Sequence, residues 1–540
     1  MSECAHGAFP RVAAVMICTG LWLAATAGAA ASIIPLPVSI EQRDGSFPIT
    51  PATSVVAEGS AAGEASKLVE ALAPALGYRL QLAAPLPAKN AVQLRIEPSL
   101  REQFGEEGYE LEATTDAVVI RAAAPAGLFY GIQTLRQLLP PAACGRQKVE
   151  GVPWALPCVR IKDQPRFAWR GLLIDPARHF IPVPDVEQFI DAMALHKFNR
   201  LQIHLTDDQG WQIEIKKYPQ LVQTGAGMDF TTIVRGKAEG RRPGGFYTQD
   251  DIRHLVRYAA ERYVTLVPEI EMPAHTGAAI VSYPQIGLYP QKLSDLPAPK
   301  RWTAHEGVLA PRPQSVAFMQ DVLTEVMDLF PSRYIHIGGD EANIEHWKKC
   351  AETQGLIRDM KLKDEAGLHS WFIRQMDAFL ASHGRQLVGW DEILQGGLAP
   401  GAVVMSWRGE AGGITAARGG HDVVMAPTSH TYFDYYQGPS ATEPKAIGGD
   451  LRLEKVYQYE PIPAALDADQ AQHVLGGQAQ VWGEYISNQK HRFYMTYPRA
   501  AALSEVLWSP RAGRNWDQFL ARLSGHLERL KALEVNYRPL

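Results

Sequence analysis

The chain has 540 residues, 46% hydrophobic and 21% charged, with a formal net charge of −5. That length leaves room for two or three domains around a large core. The mild charge gives no electrostatic case for nucleic acid or an anionic membrane as partner, and nothing past the first thirty residues approaches a membrane-spanning length.

The N-terminus stands apart. Arg11 precedes an almost wholly apolar or small run, Val12 to Ala27, which leads into Ala27-Gly28-Ala29-Ala30-Ala31. A basic residue, an apolar run and an Ala-x-Ala site predict a secretory signal peptide over residues 1–30 and an exported, periplasmic or extracellular, mature chain. A membrane anchor competes, but the run is short and fades into alanine and glycine. A lipid anchor on Cys18 fits less well, because Ile17 is bulky for that processing site. Cleavage leaves Cys144, Cys158 and Cys350. Cys144 and Cys158 flank the approach to the second domain and are candidates to pair. Neither Cys-x-x-Cys nor His-Glu-x-x-His occurs, so no zinc and no cofactor is expected.

Residues 31–162 read as a smaller α+β domain. Alternation predicts strands at Ser54–Ala57, Ala91–Ile96, Tyr109–Ala113 and Ala117–Ala122, and helical periodicity fits Glu64–Leu76 and Ala126–Leu138. No cluster of acids, histidines or glycines suggests chemistry here, so the domain reads as support. Pro153, Pro157 and Pro165 read as a linker at its end.

Residues 163–540 repeat a β-rich run, a polar loop and a helix. Strands are predicted at Trp169–Ile174, Arg200–Leu205, Thr265–Ile270, Tyr334–Ile337, Gln386–Gly389, Val403–Ser406, Asp422–Met425 and Val474–Gln480. Helices fit Pro184–His196, Gln249–Arg262, Gln314–Phe330, Glu365–His383 and Trp516–Leu533. Eight such units predict an α/β fold, a (β/α)8 barrel. An open doubly wound sheet is the alternative, but no Gly-x-Gly-x-x-Gly follows any strand.

In a barrel, the strand C-termini share one face and carry the chemistry. In order they give Asp175 to Phe180 with Arg178, Thr206-Asp207-Asp208-Gln209, Glu271 to His275, Asp340-Glu341, Trp390-Asp391-Glu392, Trp407-Arg408, Tyr432-Phe433-Asp434 and Trp482-Gly483-Glu484. Each alone is more often a turn, a cap or core; together at eight strand ends they point to one site. The fourth end is the sharpest. Tyr334 to Ile337 runs into Gly338-Gly339 and then two carboxylates, where like charges raise one pKa and favour a general acid.

Carboxylates among tryptophans suit a sugar. Aromatic faces stack on pyranose C–H faces, and Asp, Glu and Arg bond the hydroxyls. Glu341 suits the general acid of glycoside hydrolysis. Asp340, its neighbour on an extended segment, would not face it across the ring as a nucleophile. A substrate 2-acetamido group could attack instead, with Asp340 orienting it.

His336-Ile337-Gly338-Gly339-Asp340-Glu341 resembles the active-site signature of the family 20 glycoside hydrolases, the β-N-acetylhexosaminidases. The resemblance extends through Asp175 to Phe180, Leu205 to Gln209, Val267 to His275, Gly389 to Ile393, Met405 to Gly409 and Ala479 to Tyr485, and the first domain is similar to this family's accessory domain. The resemblance implies that Glu341 is acid and then base, that Asp340 orients the acetamido group, and that Tyr432 donates to its carbonyl. It implies an aromatic pocket of Trp390, Trp407 and Trp482, hydroxyl binding by Arg178 and Glu484, and contact of Asp434 with the primary hydroxyl. Asp207 and His275 would form a relay behind Glu341. Two departures are Ala274, where a glycine is common, and Gln202, where a histidine is common.

The expected activity is exo-hydrolysis of terminal non-reducing β-linked GlcNAc or GalNAc, with an oligosaccharide as partner, no nucleic acid and no membrane insertion after signal removal. The alternatives are a catalytically inactive carbohydrate-binding homologue and a glycosidase with a protein nucleophile. The first would lack the acid or the orienting residue, and both are present. Oligomeric state is open. So is the natural glycan, which loops Thr224–Phe246 and Tyr283–Leu309 would decide.

Overall fold

A computed structural model describes residues 32–83, 89–226, 232–234, 237–239, 244–289 and 308–540. The predicted signal peptide and most of the two long loops lie outside the described residues.

The N-terminal region contributes β1 (Ser39–Pro48), β2 (Ser54–Ala57), β3 (Gln81–Ala83), β4 (Ala91–Ile96), β5 (Tyr109–Ala113), β6 (Ala117–Ala122) and β7 (Ala155–Asp163). They form one sheet in the order β1-β7-β5-β6-β4-β2-β3. Alternation along β5 and β6 buries Tyr109, Leu111, Ala113, Val118, Ile120 and Ala122 on one face. Helices α1 (Ala62–Leu76) and α2 (Pro125–Leu138) share the core on that face, as the α+β pattern requires.

Pro165 falls in the short connection between β7 and the first barrel strand, as expected of a linker, but Pro157 does not mark one. Pro157 lies inside β7, opposite Ser46. The ladder shifts register between Gln42 and Ser46, and β5 pairs only with Val159 to Asp163 of β7. The missing proline N–H therefore falls where regular pairing is already interrupted. Cys144 and Cys158 do not pair: both are buried, and all three of these cysteines are free thiols. Cys144 packs in the barrel-side core, whereas Cys158 lies within β7.

The C-terminal region contributes β8 (Trp169–Ile174), β9 (Arg200–His204), β10 (Thr265–Glu269), β11 (Tyr334–His336), β12 (Gln386–Trp390), β13 (Val403–Ser406), β14 (Val423–Met425) and β15 (Val474–Val481). They close into a barrel, and every neighbouring pair is parallel, including β15 with β8. This is a (β/α)8 barrel, not an open sheet. Helices α3 (Val183–Leu195), α4 (Gln249–Ala260), α5 (Pro313–Leu329), α6 (Glu365–Ser382), α7 (Ala411–Arg418) and α8 (Arg499–Trp508) surround it, and α9 (Trp516–Ala532) follows.

The expected eight full units are not all present. After β12 the chain makes one 3-10 turn, Asp391–Leu394, and after β14 only short helices such as Thr428–Thr431 and Leu453–Tyr457. Gly396, Gly397 and Pro400 leave no helical stripe after β12.

The two cores join through a buried polar knot. Lys197 Nζ lies 2.7 Å from Asp163 Oδ2, at the end of β7, and both side chains are wholly buried. The Tyr109 hydroxyl and the Trp508 indole N–H also donate to this carboxylate, at 2.7 and 2.8 Å. A fully bonded network of this kind fixes the register of one domain on the other.

Candidate active site

The C-terminal ends of the barrel strands open on a cavity of about 320 Å³, near the lower end of small-molecule sites. Arg178, Asp207, His275, Asp340, Glu341, Trp390, Trp407, Tyr432, Asp434, Trp482 and Glu484, the whole predicted set, line it.

The exit of β11 explains how two adjacent acids reach one cavity. Gly338 and Gly339 have φ of +67° and +90°. A Cβ on Gly338 would fall 1.8 Å from Glu271 Oε2, and one on Gly339 2.6 Å from Ile393 Cγ2. Both positions thus exclude any side chain. Glu341 then takes φ +47°, not the extended geometry expected from the sequence. His275 likewise takes φ +51°. Left-handed backbone at non-glycine residues costs about 1–3 kcal/mol each and persists where surrounding structure enforces it.

These two bends bring His275 against both acids. Its Nε2 lies 3.4 Å from Glu341 Oε2 and 3.7 Å from Asp340 Oδ2. Its Nδ1 lies 3.4 Å from Asp207 Oδ1. The sequence Asp207–His275–Glu341 is therefore continuous in space. Asp340 is the deeper acid, its side chain 14% exposed against 49% for Glu341. Asp340 Oδ1 is buried with no hydrogen-bond partner.

Burial opposes charge on this wall, and the neighbours decide the outcome. Asp207 is held well below the usual carboxylate range, because Arg178 and His275 outweigh its desolvation. Arg178 Nη2 lies 2.6 Å from Asp207 Oδ2 and Nη1 3.1 Å from Asp175 Oδ2. Burial would lower His275, but Asp207, Asp208 and Glu341 hold it well above its ordinary value. Asp340 is raised, by burial first and then by Glu269 and Glu341, with His275 opposing. Asp434 is pushed well up by burial and by Glu484, and Glu484 is raised by burial against the pull of Arg178.

The opposite wall is aromatic. Trp407 stacks on Tyr432, with centroids 6.1 Å apart and planes 22° apart. Trp482 lies 5.8 Å from Trp390 and 6.5 Å from Tyr432. The Arg178 guanidinium sits 5.2 Å above Trp482. The Trp390 N–H donates to Glu269 at 2.9 Å, and the Trp407 N–H to Glu392 at 2.9 Å. Glu392 is pushed up to about 8 by burial and then by the Asp340 charge. A wall of four rings and an unpartnered buried acceptor can hold a small polar group beside a sugar ring.

Comparisons with known proteins place the chain in a family. The sequence matches "Glycosyl hydrolase family 20, catalytic domain" over residues 167–511 and "Glycosyl hydrolase family 20, domain 2" over residues 30–164. The chain belongs to glycosyl hydrolase family 20. It is 42% identical to a beta-hexosaminidase of Porphyromonas gingivalis over 513 residues, which is 94% of this chain but 64% of that protein. Among solved structures it resembles a GH20 exo beta-N-acetylglucosaminidase from Vibrio harveyi in complex with N-acetylglucosamine, with a TM-score of 0.82, 32% identity, and 94% and 78% of the two chains covered. It also resembles the GH20 beta-N-acetylhexosaminidase of Streptomyces coelicolor A3(2), with a TM-score of 0.81, 31% identity, and 95% and 98% covered.

The cavity also contains residues to which the sequence had assigned no role, Glu271 among them although it stands at a predicted strand end. His204, Glu271, Tyr435, Ile447, Gly448 and Gly449 also line the cavity. Beneath it, His204 Nδ1 lies 2.7 Å from Glu269 Oε2 and Nε2 2.9 Å from Asp207 Oδ2. Burial would lower His204, yet these acids lift it to about 10. Gln202 donates to the same Glu269 oxygen at 2.8 Å and accepts from Gln478 at 2.6 Å. A signal existed: Gln202 with His204, and Glu269 with Glu271, are i, i+2 pairs, the spacing that puts side chains on one face of a strand. The clusters His204–Glu269–Glu271 and Asp207–Asp208–His275 bring donor atoms close enough for a cation. In both, an imidazole already faces a carboxylate of its own cluster as an ion pair.

Proposed function

We propose that this family 20 chain is an exo-acting β-N-acetylhexosaminidase that removes terminal non-reducing GlcNAc or GalNAc with retention, through the substrate's own acetamido group. The observation that carries the reading is Asp340 Oδ1, buried without a partner in a cavity walled by Trp390, Trp407, Tyr432 and Trp482. An acetamido N–H supplies that missing donor, and its methyl fits the aromatic walls. The N-acetylglucosamine held by the Vibrio harveyi neighbour supports the substrate class.

In the proposed first step Glu341 gives its proton to the glycosidic oxygen. The C1–O bond breaks as the acetamido carbonyl oxygen bonds to C1. Asp340 holds the N–H and offsets the positive charge, and Tyr432 donates to the carbonyl oxygen. In the second step Glu341 takes a proton from water, the water oxygen bonds to C1, and the acetamido group is released. The half-exposed Glu341 suits this, since leaving group and water both pass the mouth. His275, charged and backed by Asp207, steadies Glu341 after its proton has left. Arg178, Glu484 and Asp434 bind the outer hydroxyls and close the far side of the ring.

A time course on a chitin oligosaccharide tests the exo reading. Monosaccharide should appear first; internal fragments appearing earlier would reject it. The same assay asks whether chitin oligosaccharides are substrates at all. We also propose export to the periplasm or beyond, supported by Arg11, Val12–Ala27 and the alanine-rich site. N-terminal sequencing of the mature protein should start near residue 31, and a start at Met1 would overturn export.

A further inference from the structure

Glu392 is a buried acid behind the cavity wall that the proposed steps leave unused. It sits on the 3-10 turn Asp391–Leu394, where the crossover helix after β12 is missing. Its side chain is 10% exposed. Oε2 accepts the Trp407 indole N–H at 2.9 Å, and Oε1 lies 3.6 Å from Arg408 Nε. Asp391 holds the flanking residues: its carboxylate accepts from Arg408 Nε at 2.6 Å, from the Arg408 backbone N–H at 3.3 Å and from Ser406 Oγ at 3.4 Å.

The turn therefore grips the exit of β13 at Ser406, Trp407 and Arg408 in succession. Trp407 needs that grip. Trp390 is wholly buried and bonded to Glu269. Trp407 is only partly buried, and its ring forms a stacked pair with Tyr432. A half-buried indole on a loop can rotate unless its N–H is tied down.

We propose that Glu392 is a positioning residue that fixes the pose of Trp407 and so sets the width of the aromatic wall against the acetamido group. This rests on the reading of the site given above. The requirement is an acceptor at this place, not a charge. Glutamine supplies the acceptor and leucine does not.

A double-mutant cycle on the full chain tests it, with Glu392→Gln, Glu392→Leu, Trp407→Phe and the Leu/Phe pair assayed on an aryl β-N-acetylglucosaminide. Glu392→Ala replaces Glu392→Leu if the latter does not fold. Glu392→Leu should lower kcat/KM by roughly 10- to 100-fold, mainly through KM, since wall contacts are made in ground and transition states alike. Glu392→Gln should stay within about threefold of wild type. In the Trp407→Phe background, Glu392→Leu should add less than about threefold. Equal cost in both backgrounds, or a Gln variant as damaged as the Leu variant, would overturn the proposal.

If the wild type releases no aryl alcohol, the reading of the site has failed, and fluorescence still decides this inference. The emission of each protein minus that of its Trp407→Phe counterpart reports Trp407. It should shift to the red and quench more with acrylamide in Glu392→Leu but not in Glu392→Gln. No change in Glu392→Leu would overturn the proposal without any turnover measurement.

Discussion

The mouth of the barrel has two unlike halves. Strands β9 to β11 supply Asp207, Glu271, His275, Asp340 and Glu341, a wall of charge; strands β12 to β15 supply Trp390, Trp407, Tyr432 and Trp482, a wall of rings edged by the acids Asp434 and Glu484. In the charged half each group sets the protonation of the next. Asp207 touches Arg178, His204 and His275 at once. In the aromatic half the rings are placed by stacking and by single N–H bonds to acids underneath. The first half should therefore govern the chemical step, and the second should govern how tightly the ring is held.

Substituting the two acids proposed to act on the substrate should give the largest effect. Asp340→Asn and Glu341→Gln should each lower kcat by roughly 10²- to 10⁴-fold. Asp340→Asn should leave the melting temperature nearly unchanged, because burial already disfavours the charge at that position. A kcat near wild type for Asp340→Asn would move the chemistry out of this half.

Next comes the buried support. Asp207→Asn strands Arg178, His204 and His275 without their shared charge, and breaking such a pair costs about 3–5 kcal/mol. A clearly lowered denaturation midpoint is expected. An unchanged midpoint would mean that the charged half is not an interlocked unit.

A smaller effect is expected across the cavity. Trp482→Ala removes a ring that faces Trp390, Tyr432 and Arg178. It should raise KM roughly 10- to 100-fold with a lesser change in kcat. The reverse pattern would erase the division between the halves.

The smallest effect concerns the seam between the walls. Glu392 is pushed up to about 8 from an ordinary 4.5 by burial and by the charges of Asp340 and Asp391, against Arg408 and the Trp407 N–H. Between those values the folded protein holds a proton that the unfolded chain has lost, so this group reduces stability as pH rises through that window. Glu392→Gln removes that dependence. Its melting temperature should exceed that of wild type at pH 8 by a few degrees, and the gain should vanish near pH 4. An equal difference at both pH values would show that Glu392 titrates normally.

Much of this was legible in the sequence because barrel strands are buried and end abruptly. Tyr334 to Ile337 and Val403 to Ser406 are largely apolar, and Asp340-Glu341 follow the first after two glycines while Trp407 follows the second directly. Strand β1 was hidden because its sequence, SIEQRDGSFP, is polar and mostly exposed; only pairing with β7 makes it a strand. Strand β7 was hidden by Pro157. His204 and Glu269 close their strands, but the predicted strands ran one residue further, to Leu205 and Ile270, and hid them inside strand bodies; their partners come from neighbouring strands remote in sequence. Tyr435 and Ile447 to Gly449 reach the cavity from a loop whose path no local pattern encodes. The left-handed turn at Glu341 was equally unreadable, since glutamate does not favour it and tertiary contacts impose it.

The central claim is that the substrate, not the protein, supplies the nucleophile. The most direct measurement is paired hydrolysis of an aryl β-N-acetylglucosaminide and the matching aryl β-glucoside by the purified full chain. Rapid release from the first with almost none from the second is the predicted result. Comparable release from both would mean that a protein carboxylate attacks the sugar, and the role given to Asp340 would be wrong.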